Sequence, residues 1–300
     1  MFAGSMVAIV TPMHVDGGID WPAWERLLAM HLEAGTSGVI VGGTTGESAT
    51  ITEAELLALV ERARPRLHGR AALLAGAGCS STAATVERVR WLSAAGVDGL
   101  LVVTPAYNKP TQEGLYRHFE AVAAAADAPV VLYNVPARTA VDLLPETVAR
   151  LSKLSRVVAV KEAMASMERV RALVELTGPH FTVLSGDDAS AAQAMLNGAR
   201  GVISVTANIS PRAMADLSAA ALRGDRAAVE QLDAPLRALH EALFLEPNPI
   251  PVKWAMSDLG WVERGIRLPL TELSEALRPR VRAAVDASRG QLPLARAKSA

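Results

Sequence analysis

Lys161 is the residue of this chain whose type and position most clearly allow covalent chemistry. It directly follows the apolar residues 157–160 and precedes Glu162. Burial at the end of a strand favours the neutral form of an amine, which can attack a ketone to form an imine, and an imine acidifies the neighbouring carbon. The alternative on these residues alone is a structural lysine that pairs with Glu162 or another acid.

The rarity of lysine supports a chemical role for Lys161. The chain has 30 basic residues, and its lysines are Lys109, Lys153, Lys161, Lys253 and Lys298. Arginine keeps its proton in proteins and cannot form an imine. The other four lysines fall in a polar loop, near a helix end, after a proline-rich helix entry and in the tail, so they fit this role poorly.

A segment rich in glycine and threonine follows the second predicted strand. Residues 42–47 read Gly-Gly-Thr-Thr-Gly-Glu and include the adjacent hydroxyls of Thr44 and Thr45. Glycine permits a tight turn, and hydroxyl and backbone N–H groups suit a carboxylate or an oxyanion. No Gly-Lys-Ser/Thr follows, which argues against a nucleotide-binding phosphate loop. An ordinary turn with a threonine as helix cap is the alternative.

Tyr133 ends the fifth predicted strand, and Arg138 follows it in the next loop. A phenol in a dry pocket can donate and accept a proton, and an arginine can bind a carboxylate through two hydrogen bonds. The alternative is a tyrosine at the rim of the fold and a surface arginine.

The elements that must position these side chains alternate along the chain. Eight short runs rich in Val, Ile and Leu, without strict alternation, indicate parallel strands buried on both faces. The runs span residues 6–10, 38–42, 71–75, 99–103, 130–133, 157–160, 181–184 and 201–205. Segments such as 21–34, 52–67, 82–95 and 113–126 have the apolar spacing of helices, with Asp20, Thr52 and Ser166 as predicted caps.

This alternation predicts an α/β fold, a (β/α)8 TIM barrel over residues 1–224. Helical patterns at 226–243, 249–258 and 271–286 predict a short C-terminal helical domain over residues 225–300. The alternative, a doubly wound open sheet, would need a glycine-rich dinucleotide turn after the first strand, where Thr-Pro-Met stands instead. Barrel active sites form at the carboxyl ends of the strands, so the three polar strand ends should meet.

Composition and charge argue against several classes of function. The net charge is −1 and the pI about 6.6, so no basic field is available to attract nucleic acid or an anionic membrane. The apolar N-terminus is too short to span a bilayer, and the single cysteine, Cys79, fits a reducing, cytoplasmic setting. We predict that Asp187 and Asp188 cap a helix and that the protein uses no metal and no cofactor, since the six histidines lack ligand spacing.

The motifs together resemble those of the dihydrodipicolinate synthase family, whose members are also called 4-hydroxy-tetrahydrodipicolinate synthases. The residues that carry the resemblance are the segments 43–47 and 133–139 and the pair 161–162. Further similar segments occur in the expected order at 2–5, 103–108, 186–190, 201–208 and 246–253. The resemblance extends without large gaps to about residue 284.

The resemblance implies a Schiff-base (class I) lyase of lysine and diaminopimelate biosynthesis. Lys161 would form the imine with pyruvate, and Tyr133 would transfer protons. Thr44 and Tyr107 would position Tyr133, and in the family the tyrosine that matches Tyr107 reaches across a dimer interface into the neighbouring site. The family is typically a homotetramer, built as a dimer of dimers.

The same resemblance implies how the substrates are bound. Thr45 would hold the carboxylate of pyruvate, aided by the backbone near Ile203. Arg138 would bind the carboxylate of L-aspartate-4-semialdehyde, and Gly186 would shape the floor of the pocket.

Two other functions are weighed against this one. Related aldolases, such as N-acetylneuraminate lyase and sugar-acid aldolases, share the lysine and the tyrosine, but Arg138 favours an aldehyde that carries its own carboxylate. A non-catalytic pyruvate-binding barrel would have no use for the reactive amine of Lys161 beside Tyr133 and Thr44.

The resemblance also bears on regulation. Many bacterial members are inhibited by lysine bound in a crevice between two subunits, and Ser48 and Ala49 fit that site. Lysine-sensitive members have polar or aromatic residues at five positions, which here are Glu53, Leu56, Ser80, Ala84 and Ala106. The ammonium groups of lysine would lack partners in such a crevice, so we predict weak inhibition or none.

Overall fold

The computed structural model describes residues 2–288, in which eight parallel strands close into a barrel in chain order. The strands are β1 (Gly4–Ala8), β2 (Gly38–Val41), β3 (Ala72–Gly76), β4 (Gly99–Val103), β5 (Val130–Asn134), β6 (Val157–Glu162), β7 (Thr182–Ser185) and β8 (Gly201–Ser204). Each of the eight predicted apolar runs contributes one strand. The largest difference is at β1, which begins two residues earlier than predicted because Gly4 and Ser5 pair with Gly201 and Val202 of β8.

Helices surround the barrel and continue beyond it. They are α1 (Trp21–Ala34), α2 (Glu53–Leu67), α3 (Thr82–Ala94), α4 (Gln112–Ala125), α5 (Pro136–Thr139), α6 (Pro145–Leu151), α7 (Met167–Thr177), α8 (Asp188–Leu196), α9 (Pro211–Leu222), α10 (Arg226–Asp233), α11 (Arg237–Ala242), α12 (Ile250–Asp258) and α13 (Arg278–Ala287). The predicted caps are confirmed: Asp20, Thr52 and Ser166 each accept a hydrogen bond from a backbone N–H in the first turn.

Two predicted C-terminal helices are wrong in part. The helix predicted over 226–243 is interrupted between α10 and α11 by the 3-10 turn Ala234–Leu236, whose Pro235 supplies no N–H and restricts the residue before it. The helix predicted over 271–286 begins only at Arg278. The residues before it are irregular or in the 3-10 turn Glu275–Leu277, and Pro279 lies in the first turn, where proline is tolerated.

The core has two layers. A large cluster lies between the strands and the helices, and a smaller one fills the inside of the barrel. The inner cluster comprises Phe2, Met6, Ala8, Ile40, Leu74, Leu101, Val131, Tyr133, Val135, Ala159, Leu184 and Ile203. Tyr133 therefore lies on the inward face of β5, above Val131. Lys161 lies on the same face of β6 as Ala159, since alternate residues of a strand share a face.

An irregularity in the pairing of β5 with β6 determines which residues of the two strands lie opposite each other. Val130 pairs with Val157, but Val131 pairs with Ala159, so β6 has one extra residue, Val158, at this point. From there on the strands are in register, and Tyr133 lies directly opposite Lys161. The extra residue thus brings the phenol and the amine to the same level of the barrel interior.

The helices after the barrel pack back against it, α10 on α9 and α11 on α8. The predicted domain boundary at residues 224–225 falls in the turn between α9 and α10, and the last residues of the predicted second domain, 289–300, lie outside the described residues. Within residues 2–288, no helix combines the length and the hydrophobicity needed to span a bilayer.

Candidate active site

A cavity of about 410 Å³ opens at the carboxyl ends of the strands. Six of the residues predicted from the sequence line it. They are Thr44, Thr45, Tyr133, Arg138, Lys161 and Gly186. They come from strands β5 and β6 and from the segments that follow β2, β5 and β7, and they meet because the strands are parallel and end at the same rim.

Lys161 and Tyr133 form the centre of the cavity. Both are buried, with 6% and 8% of their surface exposed, and the Nζ atom of Lys161 lies 4.3 Å from the centre of the Tyr133 ring. Within residues 2–288, no carboxylate forms an ion pair with Lys161. The amine is thus placed beside a phenol in a largely enclosed site, which suits imine chemistry with proton transfer.

Glu162, the next residue, has other partners. Its side chain lies on the opposite face of β6, where its Oε2 accepts a hydrogen bond of 2.7 Å from Nε of Arg169. Asn134 also donates to the carboxylate. Burial raises the pKa of Glu162, and the charge of Arg169 opposes this effect. The structural alternative, a Lys161–Glu162 pair, therefore does not occur.

The segment after β2 presents its two threonines to the cavity. Residues Thr44–Gly46 form one 3-10 turn, closed by hydrogen bonds from the N–H groups of Gly46 and Ser48 to the carbonyl of Gly43. The hydroxyl of Thr11 donates to the carbonyl of Gly46 at 2.8 Å. The turn is thus fixed against the end of β1.

Arg138 lies on the short helix α5 at the mouth of the cavity. Its Nη2 donates to the carbonyl of Asn248 at 3.2 Å, which leaves the rest of the guanidinium available for a carboxylate. Gly186 lines the cavity next to Lys161, and its N–H donates to the carbonyl of Glu162 at 2.7 Å.

The other two predicted site residues lie elsewhere. Ile203 is buried in the barrel interior among the side chains of the inner cluster, and Val205, two residues later, lines the cavity instead. Tyr107 does not reach the cavity of its own chain. Its side chain is 94% exposed and its backbone has a φ of +75°, a conformation that is strained for an aromatic residue.

Three lining residues that come from beyond the barrel were not predicted: Phe244, Pro247 and Asn248. They belong to the segment between α11 and α12, after the barrel is complete. The Nδ2 of Asn248 donates to the hydroxyl of Thr45 at 3.0 Å. The strand-end rule could not identify them, although segment 246–253 carries part of the family resemblance.

The two aspartates after β7 divide their roles. Asp187 caps α8, as predicted, by accepting from the N–H of Ser190. Asp188, for which we also predicted a capping role, instead accepts hydrogen bonds of 2.9 Å from the N–H groups of Val205 and Thr206. It ties α8 to the end of β8, because the helix begins beside that strand.

Among residues 2–288, one group of side chains could hold a metal ion, and it lies away from the cavity lining. His14, Asp20 and Glu263 have ligand atoms within 4.8 Å of one another. Asp20 already caps α1, and His14 pairs with Glu263 at 3.1 Å, so protein contacts account for the arrangement.

Comparison with known proteins gives a consistent result. A model of the dihydrodipicolinate synthetase family matches residues 1–288. A 4-hydroxy-tetrahydrodipicolinate synthase from Ectopseudomonas mendocina is 51% identical over 274 residues, which cover 91% of this chain and 94% of the relative. The enzyme of that name from Pseudomonas aeruginosa is 50% identical over the same shares of the two chains.

Solved structures agree with the sequence relatives. Dihydrodipicolinate synthase from Acinetobacter baumannii, crystallised with pyruvate, matches with a TM-score of 0.95 at 43% identity, over 97% of this chain and 100% of that one. The enzyme from Thermotoga maritima matches with a TM-score of 0.94 at 42% identity, over the same shares. The predicted barrel, family and lyase activity are thereby confirmed, and the chain belongs to the dihydrodipicolinate synthetase family.

Proposed function

We propose that this protein condenses pyruvate with L-aspartate-4-semialdehyde to give 4-hydroxy-tetrahydrodipicolinate, through an imine on Lys161. The observation that carries the proposal is the buried pair of Lys161 and Tyr133, 4.3 Å apart from amine to ring centre, in a cavity that is also lined by Thr44, Thr45 and Arg138. A reactive amine, a proton-transfer group and a carboxylate-binding cation are the parts that this condensation requires.

The first substrate is activated at Lys161. The amine attacks the ketone of pyruvate, water leaves, and the resulting iminium acidifies the methyl group. Tyr133, oriented by Thr44, relays the protons that water loss and enamine formation require. Thr45 holds the pyruvate carboxylate with the backbone near Ile203, and Gly186 leaves room for the adduct next to the lysine chain.

The second substrate is fixed by Arg138. The enamine carbon attacks the aldehyde, a carbon–carbon bond forms, and the amino group of the semialdehyde then displaces Lys161 as the ring closes. Arg138 at the mouth of the cavity suits a compact aldehyde with its own carboxylate. A sugar acid would instead need hydroxyl partners at that position, so the arginine favours the synthase over N-acetylneuraminate lyase and sugar-acid aldolases.

We also propose that the active site is completed by a second subunit. Tyr107 is 94% exposed, its backbone has a strained positive φ, and it does not line the cavity of its own chain. The exposure and the strained backbone of Tyr107 are explained if its side chain enters the active site of a neighbouring copy and contacts Tyr133 there. We place the protein in the cytoplasm as a homotetramer, a dimer of dimers.

Regulation by lysine is proposed to be weak or absent. Of the five positions that depart from the lysine-sensitive pattern, Leu56 lies on α2 and is almost fully buried in the core. Glu53 is exposed and pairs with Arg88 at 3.3 Å. Ser80, Ala84 and Ala106 supply neither a charge nor an aromatic ring for an ammonium group.

The experiment that tests the chemistry is reductive trapping. The protein is incubated with pyruvate and borohydride and then digested for mass spectrometry. We expect one reduced pyruvyl group, mapped to Lys161. Lys161→Ala should abolish both the adduct and turnover while the protein remains folded. Lys153→Ala, at an exposed lysine near a helix end, is the matched control and should keep both.

The aldehyde partner is tested by turnover assays. Pyruvate with L-aspartate-4-semialdehyde should give product, and pyruvate with N-acetylmannosamine or a sugar aldehyde should give little. The absence of an adduct on folded protein would exclude the imine mechanism and favour a pyruvate-binding barrel. An adduct without turnover of the semialdehyde would favour one of the related aldolases.

A further inference from the structure

Glu47 occupies an unusual position for a glutamate. It directly follows the turn that carries Thr44 and Thr45, and it is 3% exposed. Its backbone has φ 58° and ψ 42°, the left-handed conformation that residues other than glycine adopt infrequently. A buried charge in a strained backbone requires specific partners, because otherwise the cost of burial would not be offset.

The partners of Glu47 come from the C-terminal part of the chain. Its Oε1 forms a buried ion pair with Nζ of Lys253 on α12, and its Oε2 accepts a hydrogen bond of 3.0 Å from the backbone N–H of Arg267. Lys253 is 4% exposed. Burial lowers the pKa of Lys253, and the charge of Glu47 opposes this effect. Such a buried ion pair is weak evidence of a stabilising role, because a protein with an apolar pair of similar volume in its place is often equally stable.

The segment that carries Lys253 contacts the active-site residues at two further points. Asn248, five residues earlier, donates from Nδ2 to the hydroxyl of Thr45 at 3.0 Å, and its carbonyl accepts from Arg138 at 3.2 Å. Lys253 and Asn248 thus hold the threonine turn at two places, one through Glu47 and one through Thr45. The same segment holds the arginine on the other side of the cavity mouth.

We propose that Glu47 and Lys253 are positioning residues for the reaction: their ion pair fixes the threonine turn to α12 and so sets where the hydroxyls of Thr44 and Thr45 lie. The inference deepens the proposed function, on which it rests. Neither residue lines the cavity or touches the substrates. They act through Thr44, which orients Tyr133, and through Thr45, which binds the carboxylate of pyruvate.

The test separates positioning from simple stability. Either Glu47→Gln or Lys253→Met alone leaves one unpaired buried charge, so each should lower the melting temperature. The double variant Glu47→Gln/Lys253→Met removes both charges, and its melting temperature should recover toward that of the wild type. If the pair positions the turn, kcat in the double variant stays at least about tenfold below wild type and KM for pyruvate rises, because small displacements of aligned groups have large effects on rate.

Glu47→Asp provides a second measurement on a variant that should fold. Aspartate is more common than glutamate in the left-handed conformation, so the backbone is relieved while the negative charge remains. Its carboxylate is shorter by one methylene, so it can reach Lys253 only if the turn moves. We expect unchanged or higher thermal stability together with a lower kcat.

Arg282→Met is the matched control, at a residue of α13 that packs against α12. It removes a partly exposed ion pair with Asp258, at the end of α12 away from Ile250, and it should leave kcat and KM within about twofold, as is usual for pairs near the surface. Wild-type kcat and pyruvate KM in the double variant and in Glu47→Asp would overturn the inference.

Borohydride trapping distinguishes failure of the positioning role from failure of the proposed function. Lys161 is intact in every variant, so saturating pyruvate should still label it, at a higher half-saturating concentration in the double variant. No labelling of the wild type would refute the imine mechanism itself. Full labelling of the wild type, with variants of unchanged kinetics, would refute only the positioning role.

Discussion

Gly186→Ala is expected to disturb the reactive amine with little effect on the fold. A methyl group at this position would lie 2.8 Å from Cε of Lys161 and 3.1 Å from both Cα and Cβ of Ala163. Unstrained carbon–carbon contacts are about 3.5–4.0 Å. The backbone of Ala163 is held by its N–H, which donates to the carbonyl of Asn134 at 3.1 Å, so the lysine side chain must move.

The size of the effect follows from the overlap. A shift of about 0.7 Å or more at Cε needs a side-chain torsion about 30° from its minimum, which costs on the order of 1 kcal/mol. Misplacing a reacting group by about 1 Å can reduce a rate about 100-fold. We therefore expect turnover to fall about 10- to 100-fold, with a decrease in melting temperature of only a few degrees, roughly what 1–2 kcal/mol produces in a protein of this size.

The assay follows the imine directly. The rate of pyruvate labelling in the presence of borohydride should fall by a factor similar to that of turnover, since both depend on where the amine lies. Gly114→Ala is the control: its methyl would lie in the first turn of α4 with its nearest neighbour, Cβ of Pro110, at 3.3 Å. A folded Gly186→Ala protein that labels and turns over within twofold of wild type would refute the reasoning.

Three further predictions follow from other parts of the molecule. Burial lowers the pKa of His31 to about 3 and of His118 to about 4, so their neutral forms contribute stability that is present above pH 6.5 and lost as the pH falls. We expect the free energy of unfolding in urea to decrease by about 2 kcal/mol per histidine between pH 7 and pH 5, and His118→Gln should remove about half of that decrease, since His31 remains. Mixing Lys161→Ala with Tyr107→Ala, each inactive alone, should restore about a quarter of the wild-type activity if each site takes its tyrosine from the neighbour; no recovery in mixed oligomers would exclude a shared site. Lysine at 1 mM should leave most of the activity, and half-inhibition below that concentration would contradict the proposed insensitivity.

The barrel and its central pair were accessible from the sequence because they depend on local patterns. Eight apolar runs without alternation indicate buried parallel strands, and parallel strands bring their carboxyl ends to one rim. A polar residue immediately after such a run, as with Lys161, or at its last position, as with Tyr133, therefore faces that rim. The family motifs then favoured a chemical role for each residue over its structural alternative.

The contribution of the C-terminal segment to the cavity could not be predicted from local sequence patterns. Asn248 and Phe244 reach the cavity only because the chain folds back over the rim after α9, and no periodicity encodes that path. Lys253 was considered a poor candidate for chemistry, and its pairing with Glu47 joins residues 206 positions apart in the chain. The break between α10 and α11 was missed because the apolar spacing continues through Pro235, although proline alone could have indicated it.

The extra residue in β6 has a consequence for how relatives of this protein are compared. Tyr133 and Lys161 face each other because the irregularity leaves Val158 without a partner in β5. A one-codon deletion at Val158 would make Ala159 follow Val157 directly, as Val131 follows Val130, so the two strands would pair regularly and Tyr133 would stay opposite Lys161. A one-codon deletion at Val160 would instead turn the lysine to the other face of β6, because successive residues of a strand point to opposite faces. In a pairwise alignment, a gap at Val158 is therefore compatible with an active homologue, whereas a gap at Val160 indicates an inactive one, although the lysine is present in both.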